Sequence, residues 1–229
     1  MYDYSIGLAA FDFVPIALSG IGLYFLSKTA TLWNPQWRGL AQFGALLILA
    51  GAISKASWKL IVATQKIDIS WMNDALFFCL APGMIILASA IWGASNNKGA
   101  NAKRITLVTS GLLVIAALAI ALIWPEQRYS TFYLLALTTL GNLALASQLI
   151  VKSWKLKRLN ASVMFLCNIL AVFVMAGLAR VPNQTEGLQW IAELTNTFSQ
   201  AAISWASYLL YSTIKASSSE NTSHDIASK

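Results

Sequence analysis

Seven apolar stretches, each near the length of a bilayer-spanning helix, leave this chain few ways to fold. A helix rises 1.5 Å per residue, so about twenty residues cross a hydrocarbon core of about 30 Å. The stretches fall near residues 5–27, 39–64, 70–94, 105–124, 130–151, 159–179 and 188–214. None alternates with the period of two that a membrane barrel strand requires, so the expected class is all-α and integral to a membrane, a seven-transmembrane helix bundle. Composition agrees: 57% of residues are hydrophobic and 11% are charged, where a soluble domain carries about 25% charged residues. Residues 216–229 are polar, Ser-rich and without periodicity, and read as a disordered tail.

The net charge of +7 does not imply nucleic acid, because the basic residues sit between the apolar stretches rather than on one soluble face. Lys28 and Arg38 flank the first connection, Lys98, Lys103 and Arg104 the third, and Lys152, Lys155, Lys157 and Arg158 the fifth. These three connections hold no acid, which assigns them to the cytoplasmic side. Asp3, Asp68, Glu126 and Glu186 collect opposite, with Lys66 and Arg128. The N-terminus is therefore expected outside and the C-terminus inside, in the plasma (cytoplasmic) membrane. Tryptophan follows the same division: Trp33, Trp37, Trp92 and Trp154 lie toward the inner ends, and Trp58, Trp71, Trp124 and Trp190 toward the outer ends, as the half-dry headgroup level favours. Trp205 falls mid-membrane and reads as a packing residue. The first stretch lacks a basic n-region and a cleavage site, so it reads as a span and not as a removable signal.

The fourth stretch is almost without polar atoms after Ser110 and suits a peripheral position. Short echoes flank it. Tyr4-Ser5 and Tyr129-Ser130 open the first and fifth stretches; Trp71 to Asp74 and Trp190 to Glu193 open the third and seventh. They suggest two three-helix halves in parallel, joined by the fourth helix, a 3+1+3 plan.

The last stretch carries Glu193, Asn196, Gln200, Ser204 and Ser207 at intervals of three or four, which puts them on one helical face. Lipid cannot solvate that face, so it should turn inward. Other intramembrane charges can join it. Asp12 is sixteen residues from Lys28 and Lys55 seventeen from Arg38, which sets both at about 24–26 Å above those anchors and suggests that they pair. Asp74, Arg180 and Glu193 come out higher. The expected ligand or ion pathway is therefore Asp12, Lys55, Asp74, Arg180, Glu193, Asn196 and Gln200. Lys59, one turn above Lys55, reads as snorkelling to the interface. Asn142 and Asn168, at matched depth, should hydrogen-bond between helices. Pro15 and Pro82 should bend their helices by denying partners to the Phe11 and Phe78 carbonyls. Cys79 and Cys167 read as buried, unpaired thiols.

The outline resembles microbial rhodopsins and the SWEET and nicotinamide-riboside transporter folds, which share seven helices and an outside N-terminus. The resemblance is architectural. A retinal protein needs a lysine within its seventh helix for the Schiff base, and Leu188 to Ile214 contains none, which argues against covalent retinal. PQ-loop transporters carry Pro-Gln in equivalent helices, whereas Pro35-Gln36 here lies in the first connection.

The reading expected is a small polytopic membrane protein that binds or translocates a small solute or ion through a polar cavity open to the outer side. Its alternatives are a sensor or non-covalent cofactor binder, and an accessory subunit of a membrane complex. No cofactor is expected. The bilayer is the constant partner, and a homo-oligomer or a membrane partner protein is compatible with the outline. With no nucleophile–base set and no metal-ligand spacing, catalysis is not expected.

Overall fold

The computed structural model describes the backbone of residues 5–124, 127–178, 181 and 185–227, with side chains to residue 218. Every regular element among them is helical: α1 (Ile6–Phe11), α2 (Phe13–Trp33), α3 (Arg38–Gln65), α4 (Ser70–Ser95), α5 (Ala100–Ile123), α6 (Tyr129–Lys155), α7 (Leu159–Leu178) and α8 (Glu186–Ala227). Helices α1 and α2 together, and α3 through α7, are long and apolar enough to cross a membrane. The molecule is thus a helical membrane protein in contact with lipid. α8 is long enough as well, but its polar line dilutes its hydropathy.

Helix ends follow local chemistry. The Ser5 side chain accepts the Leu8 N–H and starts α1. The helix is interrupted at Asp12, because Pro15 has no N–H to give the Phe11 carbonyl. α2 then runs to Trp33, six residues beyond the expected end. At its foot Asn34 turns extended, its side chain accepts the Gln36 N–H, and a 3₁₀ turn over Pro35–Trp37 feeds α3. Left-handed residues Asn97 and Lys157 close α4 and α6 tightly, with Lys98 N–H on Gly93 O and Arg158 N–H on Ser153 O. α8 continues past the expected end at 214 into the stretch read as an irregular tail. Its serines bond back along the helix, Ser217 to Thr213 O and Ser218 to Ile214 O, so these hydroxyls are satisfied within the helix itself.

Helices α2, α3, α4, α6, α7 and α8 pack in that order, and α8 returns to α2. α5 stands outside, against α4 and α6, and buries only Ser110 and Ala117. Most of its remaining surface is apolar, as lipid contact requires. The tightest seam is α3 with α4. A Cβ on Gly44 would come within 2.9 Å of Gly83 O, so the two backbones touch as small residues allow.

The end of the bundle that carries Arg38, Lys98 and Lys152 is called the basic end below. The main core fills only that half: Leu23, Leu26, Ile48, Leu87, Ile91, Leu149, Phe165 and Leu210 belong to it. Trp37 seals it. The indole is fully buried, not interfacial as its position suggested, because the 3₁₀ turn swings it inward. Its Nε1–H donates to the Lys98 carbonyl at 2.9 Å. The opposite half is filled less evenly: α3 buries Trp58, Val62 and Ala63, α1 buries Leu8 and Ala9, and Ala81, Ala117 and Leu134 form a small cluster, but the other helix ends are loose. α4 buries nothing before Ala81, α7 nothing among its described side chains after Ala171, and α8 nothing before Ser199. Trp205 also departs from expectation: it is 58% exposed and stacks beside Tyr208, since it lies off the polar face of α8.

Candidate functional site

Three elements bring charge together in the loose half. Asp12 occupies the break between α1 and α2, Lys59 lies near the far end of α3, and Glu193 near the start of α8. Lys59 Nζ donates to Asp12 Oδ1 at 2.9 Å and to Glu193 Oε1 at 3.3 Å. The Lys59 and Asp12 side chains are 8% and 10% exposed, and that of Glu193 is 18% exposed. An ammonium thus stands between two carboxylates, in the position a bound cation would take. Phe11 and Trp190, their ring centres 5.4 Å apart, adjoin the pair along the chain.

Depth counted from the true helix ends explains this partner. Asp12 stands 21 residues before Trp33, and Lys59 stands 21 residues after Arg38. Taking Lys28 as the foot of the first helix shortened that count by more than a turn and pointed to Lys55. Lys59 therefore does not snorkel; it is buried at 6% exposure.

Lys55 is placed differently. On α3 it shares a face with Ile48, Gly51, Lys59 and Val62, at offsets of seven and four residues. All four are buried, yet Lys55 is exposed. Among the described residues it makes no hydrogen bond and no ion pair, although it lies within electrostatic range of Lys59, Glu193 and Asp12. Exposure in the middle of an otherwise buried face leaves the Lys55 side chain without close packing on that side. α3 and α8 share no extended packing here; a lysine and a glutamate meeting tip to tip bridge them.

Asn196 and Gln200 continue the line on α8, both half-buried, with Gln200 Nε2 donating to Asn196 Oδ1 at 3.4 Å. Nearer the basic end, Ser204 donates to the Leu18 carbonyl and Ser207 is fully buried. The whole polar face of α8 is therefore turned to protein. Asp74 does not join it. Leu76 and Cys79 face Gly51 of α3, and at 100° per residue Asp74 lies on the far side of α4 from them. It is exposed, with Asn73 Nδ2 donating to it at 3.4 Å. Arg180, Asp3 and Glu126 lie outside the described residues.

A second polar group ties α6, α7 and α8 together. Ser199 donates to Asn168 Oδ1 at 3.0 Å, and Asn168 Nδ2 donates to Asn142 Oδ1 at 3.4 Å. The Asn–Asn contact is the one matched depth suggested. Ser199 was missed because it stands beside the polar line, three residues after Asn196. This group acts as interhelical glue, because both hydrogen bonds run from one helix to the next. Cys79 and Cys167 are free thiols, and both are half-buried where full burial was expected.

No family model, curated protein or solved structure matches this chain.

Proposed function

We propose that this protein binds a small solute or ion in a cleft lined by Lys55 and the Asp12–Lys59–Glu193 cluster, and moves it across the plasma membrane. In this reading α8 is the seventh span, the basic end faces the cytoplasm and the cleft opens outside. The order of packing, with α2–α3–α4 followed by α6–α7–α8 and α5 left outside, supports two parallel halves. One observation carries the proposal: polar and charged groups collect where the bundle is loose, while apolar side chains and Trp37 close the other half.

Thiol labelling tests it. Lys55→Cys, with Cys79 and Cys167 replaced by serine, should react with a membrane-impermeant methanethiosulfonate added outside to intact cells. A protein that stays unlabelled at 55, while a cysteine at exposed Asp74 reacts, has no cleft and the proposal fails.

The single closed end also favours a second reading, a receptor that binds without translocating. Ala45→Cys, in the core of the basic half, separates the two. It should become reactive from the cytoplasmic side in a transporter, which must visit an inward-open state, and stay silent in a receptor.

A further inference from the structure

We infer that the ligand of this cleft is a small anion, held by charge pairing with Lys55. The inference rests on the cleft proposed above and deepens it. Both carboxylates are committed to Lys59 at 2.9 and 3.3 Å. Among the described residues that leaves Lys55 without a hydrogen bond or ion pair, exposed on the inward face of a membrane helix and facing the cleft proposed above. A bare ammonium at that level is costly, so the site favours an occupant that brings negative charge. A cation finds no such place, because Lys59 already stands between the two acids.

The neighbours suit the same occupant. α3 and α8 run in opposite directions, so one turn from Lys59 toward the basic end is Lys55, and one turn from Glu193 is Asn196. The Asn196 amide is half-buried and uses its oxygen to accept from Gln200, which leaves its N–H groups to point elsewhere. Amide donors and an ammonium at one level make an anion site without a metal. The occupant is small, since the gap is spanned by two side chains meeting end to end. Among the two acids, Glu193 has the longer contact and the greater exposure. It is the one positioned to turn from Lys59 to Lys55 when the anion leaves.

Thermal unfolding of the full chain in phosphatidylcholine nanodiscs, titrated with sodium acetate and with sodium chloride, tests this. Wild type should show a saturable rise of about 3 °C at tenfold excess over Kd. Lys55→Gln should lose that rise and Lys55→Arg should keep it. Lys55→Cys should regain it after 2-aminoethyl methanethiosulfonate restores an ammonium, and not after an anionic reagent. Discs containing phosphatidylglycerol distinguish the source: a Lys55-dependent rise there, without response to the soluble salts, assigns the anion to a lipid headgroup. Equal responses of wild type and Lys55→Gln in every arm overturn the anion site. The labelling of Lys55→Cys keeps the two readings apart, because a reactive thiol with no anion response leaves the cleft standing and removes only the ligand class.

Discussion

The Asp12 carboxylate and the Lys59 ammonium meet at 2.9 Å although 47 residues separate them in the chain. Neither is at home alone inside a bilayer. Removing one partner of a buried pair strands the other charge and costs about 3–5 kcal/mol. Lys59→Met strands two carboxylates and should lower the melting temperature by at least 6 °C at roughly 2–4 °C per kcal/mol. The triple change Asp12→Asn, Lys59→Met, Glu193→Gln should recover most of that loss. A triple variant no better than Lys59→Met would show that the ion pair is not what the lysine stabilises.

Glu193→Gln alone should be milder. Its contact is longer and its side chain more exposed than that of Asp12, and glutamine keeps an acceptor for Lys59. A loss of about 1 kcal/mol is expected. Asp12→Asn should cost about twice as much, measured side by side in one detergent.

The Ser199–Asn168–Asn142 chain makes a separate, smaller contribution. Hydrogen bonds between membrane helices average about 0.6 kcal/mol and reach about 1.7. Ser199→Ala should therefore cost about 0.6 kcal/mol, and Asn168→Leu, which breaks both bonds, about 1–2. A double-mutant cycle on Ser199 and Asn168 should return a coupling of the same size, and zero coupling would remove the bond from the account.

Gly93→Ala should disturb the basic end. A Cβ there would lie 2.1 Å from the Trp37 ring, and forcing atoms into a packed site costs about 1–3 kcal/mol. Trp37→Leu should compensate in the double variant. Ala45→Cys should turn reactive from the basic side in Gly93→Ala, because the indole can no longer seat.

Trp205→Ala should change stability by less than about 0.5 kcal/mol, since the indole faces outward.

Much of this architecture is legible from apolar length alone. α3, α4 and α7 begin and end within a residue or two of the expected spans, and α5 lies outside the ring as its uniform apolarity implies. The inward turn of Glu193, Asn196 and Gln200 follows from their spacing. What escaped depends on rotation and end points. Asp74 has the right depth and the wrong face of α4. Lys55 and Lys59 differ by one turn, and only the true end of α2 at Trp33 tells which one meets Asp12. The burial of Trp37 depends on a three-residue 3₁₀ turn whose direction no periodicity encodes.

The interruption of the first helix at Asp12 also limits how far damage spreads. Because Pro15 already denies the Phe11 carbonyl its helical bond, the six residues of α1 should open independently of the 21 of α2. Neutralising the aspartate should let the short segment fray alone. In hydrogen exchange on Asp12→Asn, amides of 9–11 should lose protection while those of 20–30 keep theirs, so the membrane-crossing rod survives the loss of its anchoring charge.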